Sequence, residues 1–169
     1  MTRTITAVAL LTLGVSGFTR ADAPGRFPAR VLTIDGAELD VAERARDGTL
    51  VVVTLKATWC PVCQKQLARI KKKLPEIERC GVNFLVLSPG PRSELRAIRD
   101  RIGFPYPFVE DVGLEIAERM GLRMTADQIF PSIFILNPDL SVGWMQRGRN
   151  ARFYGDPALV EKINCGDWV

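Results

Sequence analysis

Apolar and polar positions along this chain follow two different periods, and the changes of period mark out its elements. Leu50-Val51-Val52-Val53-Thr54-Leu55 is an almost unbroken apolar run rich in β-branched residues. Such a run predicts a strand buried on both faces, as in the interior of a sheet. Beyond Cys63 the period lengthens. Leu67, Ile70, Leu74 and Ile77 recur at steps of three and four, the stripe of a helix with one buried face. Lys65, Arg69, Lys71, Lys72 and Lys73 fill its other face. Pro75 falls inside this pattern and is expected to kink or interrupt the helix. Val82–Ser88 predicts the next strand, ended by Pro89-Gly90-Pro91.

The flanking segments complete the order. Val31–Ile34 and Glu38–Val41 are joined by Asp35-Gly36 and read as a β-hairpin. Val41–Arg46 reads as a short helical turn stopped by Asp47-Gly48. A helix is expected from near Ser93 to Ile102, then a proline-rich link over Phe104–Phe108, then a helix from Gly113 to Met120 stopped by Gly121. Ser132–Leu136 and Val142–Arg147 form a hairpin across Asn137-Pro138-Asp139, and Pro157–Asn164 is the last helix. A β-rich start, a βαβ unit, a helical link and a closing ββα predict an α/β domain with a central mixed sheet flanked by helices.

The N-terminus reads differently. Thr2-Arg3 precede an apolar run from Ile5 to Phe18, followed by Ala21-Asp22-Ala23, a small-x-small cleavage pattern. This predicts a secretory signal peptide over residues 1–23 and one domain over 24–169. The run is shorter than the roughly 20 apolar residues of a membrane span, so no stable insertion is expected after cleavage. An uncleaved anchor is the alternative. Export implies the periplasm or the exterior, where disulfides persist. The formal charge of +4 is modest, and no basic motif is interleaved with aromatics, so nucleic-acid binding is not expected. The basic helix face reads first as a solvated surface.

The chemistry concentrates between the buried strand and the helix that follows it, at Cys60-Pro61-Val62-Cys63. Pro61 suits the first helical position, because its missing N–H has no partner to lose there. Cys60 then lies at the helix mouth, where unpartnered amides and the positive end of the dipole stabilise a thiolate. Thiols so placed fall from a pKa of about 8.5 to roughly 3.5–7.5. Cys63 lies one turn on, in reach of a mixed disulfide at Cys60. Cys60 is therefore the expected nucleophile and Cys63 the resolving thiol of a redox-active pair. A zinc site is disfavoured, since the chain has no His and only Cys80 and Cys165 to add. Covalent haem attachment needs a His where Gln64 stands. No metal or cofactor is expected.

Ala57-Thr58-Trp59-Cys60-Pro61-Val62-Cys63 resembles the active-site stretch of the thioredoxin-like superfamily, in its redoxin branch, which shades into the alkyl hydroperoxide reductase/thiol-specific antioxidant proteins. Phe130–Asp139 resembles the segment that places a cis-proline beside the dithiol, and Phe104–Asp111 with Ile116–Leu122 resemble the peroxiredoxin-type connection. The resemblance implies a thioredoxin-like fold, a cis bond before Pro131 and a substrate-binding surface made by Trp59, Phe130 and Pro131. Phe130 is expected to offer its backbone to an extended substrate segment. The topology that the resemblance implies would put both Cys80 and Cys165 at the end of the domain far from the dithiol, either as a structural disulfide or as two independent thiols. Thr54 occupies the position where many thioredoxins carry a buried acid, so Cys63 has no assigned proton acceptor.

Three activities follow from the resemblance. The first is disulfide exchange with protein disulfide or dithiol substrates, reset by an upstream redox partner. The second is a peroxiredoxin-like thiol peroxidase. Peroxiredoxins characteristically place Thr or Ser three residues before the reactive Cys and Pro seven before it. Ala57 and Val53 stand there relative to Cys60, and Cys60 and Lys56 relative to Cys63, so neither register fits. The third is a non-catalytic binding module that kept the fold.

Overall fold

The computed structural model describes residues 25–148 and Ile163. The expected leader, Pro24, Cys165 and all of the expected last helix except Ile163 lie outside the described residues; Ile163 itself is helical. The elements run in the order β1 (Arg30–Leu32), β2 (Glu38–Asp40), α1 (Val41–Asp47), β3 (Thr49–Thr54), α2 (Pro61–Ile77), β4 (Val82–Ser88), α3 (Arg92–Ile102), β5 (Phe108–Glu110), α4 (Glu115–Arg119), β6 (Ser132–Leu136) and β7 (Val142–Arg147).

β3 is the middle of a five-stranded sheet ordered β5-β4-β3-β6-β7. It runs parallel to β4, with Thr49 opposite Val82, and antiparallel to β6, with Val53 opposite Ile133. β5 extends the parallel side and β7 the antiparallel side, so the sheet is mixed. β1 and β2 form a separate antiparallel hairpin. The apolar run of β3 is explained by its place. Val51 and Val53 pack under α2 and α3 with Leu67, Ile70 and Phe84, while Leu50 and Val52 face Val41, Leu85 and Phe134 on the other side. Alternate residues of one strand thus nucleate two cores, one on each face.

Three local expectations are corrected. Pro75 does not interrupt α2, which continues to Ile77. The proline sits exposed in the last turn, and the buried side chains of Leu74 and Ile77 on either side hold that turn onto the sheet. Part of the expected proline-rich link is a strand, β5, whose three residues are too few to display a period. The expected helix over 113–120 starts later. Val112–Leu114 is a single 3-10 turn with Gly113 at φ +77° and Leu114 at φ +62°. Asp111 sets the start of α4, its carboxylate accepting from the amides of Ile116 at 3.0 Å and Ala117 at 2.8 Å. Burial raises the Asp111 pKa, and those amides oppose the rise.

Among the described residues, no helix is long and apolar enough to cross a membrane.

Candidate active site

The carboxyl end of β3 delivers the chain to the mouth of α2. Cys60 is the residue that caps α2, with extended backbone at φ −74° and ψ 104°, and Pro61 takes the first turn. The Cys60 and Cys63 sulfurs are bonded, with Sγ–Sγ 2.35 Å and Cα–Cα 5.4 Å. Each sulfur faces a backbone amide. The Cys63 N–H points to Cys60 Sγ at 3.3 Å, and the Lys56 N–H to Cys63 Sγ at 3.5 Å. A neutral sulfur is a weak acceptor, so these contacts gain most when a sulfur carries negative charge. Cys60 is 8% exposed and Cys63 1%, so Cys60 is the sulfur nearer to solvent.

The turn before Cys60 is held by side chains from two helices. Gln64 of α2 donates from Nε2 to Thr58 O at 2.6 Å, and Arg101 of α3 donates to Gln64 Oε1 at 2.9 Å. The buried Thr58 hydroxyl donates to the Glu94 carboxylate of α3. With its backbone fixed this way, Trp59 stands 61% exposed, and the Lys56 ammonium lies 5.2 Å from its ring centroid.

The segment 129–132 approaches from the other side. The Ile129 N–H donates to Lys56 O at 3.2 Å. Thr54 Oγ1 donates to Phe130 O at 2.8 Å and accepts from the Ser132 N–H at 2.6 Å. The Phe130 N–H donates to Leu122 O, and Pro131 O accepts from the Gly148 N–H, both at 2.7 Å. Two expectations change here. The Phe130–Pro131 bond is trans, and the cis bond among the described residues is Gly90–Pro91. The backbone of Phe130 is not offered to an incoming strand, because its N–H and C=O are bonded within the fold. The Phe130 ring is half-buried beneath the Arg147 guanidinium, 4.7 Å from the ring centroid.

Sequence reasoning missed three participants. In sequence Thr54 stands out only for the acid it lacks, yet its hydroxyl ties 130–132 to β3. Gln64 stands out only as the absence of a haem-binding His. Glu94 carries no sequence signal of its own; it lies in the first turn of α3, past the carboxyl end of β4, where open α/β sheets collect their functional side chains. Cys80 closes the 3-10 turn that follows α2. The part of α2 beyond Cys63, about 21 Å of helix, separates it from the dithiol. Its expected partner, Cys165, lies outside the described residues. Among the described residues, no group of three or more His, Cys, Asp or Glu side chains is arranged to hold a metal ion.

The AhpC/TSA family model matches residues 23–145, a span that contains the dithiol and the 129–132 segment. The chain belongs to the AhpC/TSA family. The chain is similar to the thiol-disulfide oxidoreductase ResA of Halalkalibacterium halodurans, 25% identical over 91 residues that cover 53% of this chain and 51% of that one. The chain thus spans about half the length of the curated relative it matches. Two solved structures share the fold. Peroxidoxin BcpB from Mycobacterium tuberculosis superposes with a TM-score of 0.67 at 17% identity, covering 79% of this chain and 87% of that one. Xanthomonas campestris peroxiredoxin Q also gives 0.67, at 19% identity, covering 86% and 97%. The thioredoxin-like fold expected of this AhpC/TSA-family chain is the fold observed.

Proposed function

We propose that this AhpC/TSA-family chain is an exported thiol–disulfide oxidoreductase acting on protein disulfides in the periplasm or outside the cell. The observation that carries the reading is the bonded Cys60–Cys63 pair at the mouth of α2, each sulfur met by a backbone amide. The similarity to a relative named as a thiol-disulfide oxidoreductase supports it.

In the reduced chain the Cys60 thiolate attacks one sulfur of a partner disulfide. A Cys60–partner bond forms, and the second partner sulfur leaves as a thiolate that takes a proton from solvent. Cys63 gives its proton to solvent and attacks Cys60 Sγ. The intramolecular disulfide forms, and the first partner sulfur leaves as a second thiol. Two electrons pass to the partner, and the reverse sequence oxidises a dithiol. Direction follows the potential of the pair against its partners, and an upstream redox partner resets it. Trp59, Phe130 and Pro131 act in this reading through their side-chain faces. Cys80 and Cys165 form a structural bridge, and residues 1–23 are removed on export.

Insulin reduction and peroxide consumption by the mature chain, with Cys60→Ser and Cys63→Ser beside it, test the reading. Exchange that needs Cys60, without peroxide turnover, supports it. The fold shared with a peroxidoxin and a peroxiredoxin favours a second reading, a thiol peroxidase. There a cysteine thiolate would cleave a peroxide O–O bond, releasing water or alcohol, and the sulfenic acid would condense with the other cysteine and lose water. Ala57 offers no hydroxyl three residues before Cys60, which weighs against this. Fast peroxide loss that needs one cysteine would replace the first reading with the second. A chain with neither activity, whose dithiol never oxidises, would be a binding module.

A further inference from the structure

A groove of 440 Å³ opens beside the turn that leads into Cys60. Its walls include Ala57, Thr58 and Trp59, the three residues before Cys60, with Pro91, Val112 and Asp127 from later loops. Among the described residues the exposed large hydrophobics are Leu32 at 52%, Trp59 at 61% and Val112 at 70%, and two of these three line this one groove. Apolar side chains held in water at the rim of a groove next to a reactive pair mark a contact surface.

The charge of the groove selects the partner. Four acids line it, Glu94, Glu110, Asp111 and Asp127, and no Lys or Arg does. Two of the four are engaged: Glu110 is paired with Arg92, and both Asp111 oxygens cap α4. Among the described residues, Glu94 and Asp127 are met by neutral hydroxyls, those of Thr58 and Thr125, and by no cation. The Lys56 ammonium is drawn over the Trp59 ring and is not part of the walls. This negative rim belongs to a chain of formal charge +4, whose α2 surface is basic and whose 129–132 side carries Arg147. The acids of this groove therefore contrast with the Arg147 guanidinium over Phe130.

We propose that this groove docks the disulfide-bearing segment of the partner protein, and that it prefers an apolar residue and a Lys or Arg next to the attacked cysteine. Trp59 and Val112 cover the apolar residue. Glu94 and Asp127 face the basic one. The proposal rests on the oxidoreductase reading and names its substrate class.

Three synthetic peptides test it, each with one intramolecular disulfide and a Leu beside the first cysteine, differing at the next position as Lys, Ser or Glu. The quantity read is the second-order rate constant for oxidation of the reduced chain. The expected order is Lys above Ser above Glu, with about a three- to tenfold span at low salt that closes at high salt. Asp127→Lys narrows or reverses the span. Equal constants for the Lys and Glu peptides at low salt, in the unaltered chain, overturn the groove proposal while leaving the oxidoreductase reading intact. No oxidation by any peptide removes that reading, and the groove proposal with it.

Discussion

Two segments flank the Cys60–Cys63 pair, and they dispose of their polar groups in opposite ways. The 129–132 segment turns inward: Thr54 holds it at Phe130 and Ser132, Leu122 takes the Phe130 N–H, and Gly148 donates to Pro131. The 56–60 turn is also tied down, by Gln64 and Glu94, but those ties leave Trp59 standing in water. One flank spends its backbone on the fold and keeps only side-chain faces for a partner, and the other holds Trp59 out in water. The difference teaches where a partner can be met. A cysteine pair needs rigid support and open access at once, and this chain assigns the two needs to different sides.

The sharpest break in that comparison is at the sulfurs. Cys60→Ser is expected to reduce disulfide exchange to background, and Cys63→Ser to accumulate mixed disulfides with the substrate, visible by mass on non-reducing separation. The inward flank should fail next. Thr54→Val leaves the buried Ser132 N–H without its acceptor and is expected to cost about 1–3 kcal/mol in denaturant unfolding, with Thr54→Ser milder. On the groove side, Asp111→Ala removes the acceptor of the Ile116 and Ala117 amides and should cost about 0.5–2 kcal/mol. The pH dependence gives that prediction a sign. The folded-state pKa of Asp111 is raised, chiefly by burial. Its contribution is therefore fullest below the ordinary carboxylate range and is lost as pH rises through the folded value. The stability gap between the parent and Asp111→Ala should narrow over that rise. The smallest effect on stability is expected on the open flank. Trp59→Ala should shift unfolding by no more than about 0.5 kcal/mol while slowing reaction with protein disulfides, a split between fold and function that Thr54→Val should not show.

Much of the scaffold was legible before any coordinates. β4, β6 and β7 fall where their apolar segments and turn residues put them, and Pro61 after Cys60 marks the start of α2. Each of those signals is local. What was not legible depends on contacts between distant residues. Thr54 meets the Phe130 carbonyl across 76 positions, and that contact, absent from any local pattern, together with the Phe130 N–H bond to Leu122 O is why Phe130 has no backbone left to lend. Asp111 resets the start of α4 through a carboxylate that reads in sequence as one more loop acid. Pro75 misleads for the converse reason: its lost N–H bond and its clash with the preceding turn are local costs, and the burial of Leu74 and Ile77 against the sheet outweighs them. The dithiol itself was the easiest feature to find, and its surroundings were the hardest.

The central claim is that the helix mouth makes Cys60 an acidic, leading sulfur. Its most direct measurement is the rate of iodoacetamide alkylation of the reduced mature chain as a function of pH, beside Cys60→Ser. The account predicts an inflection well below the ordinary thiol value of about 8.5, abolished in the Cys60→Ser protein. An inflection at or above that value, or one that survives the substitution, would contradict it.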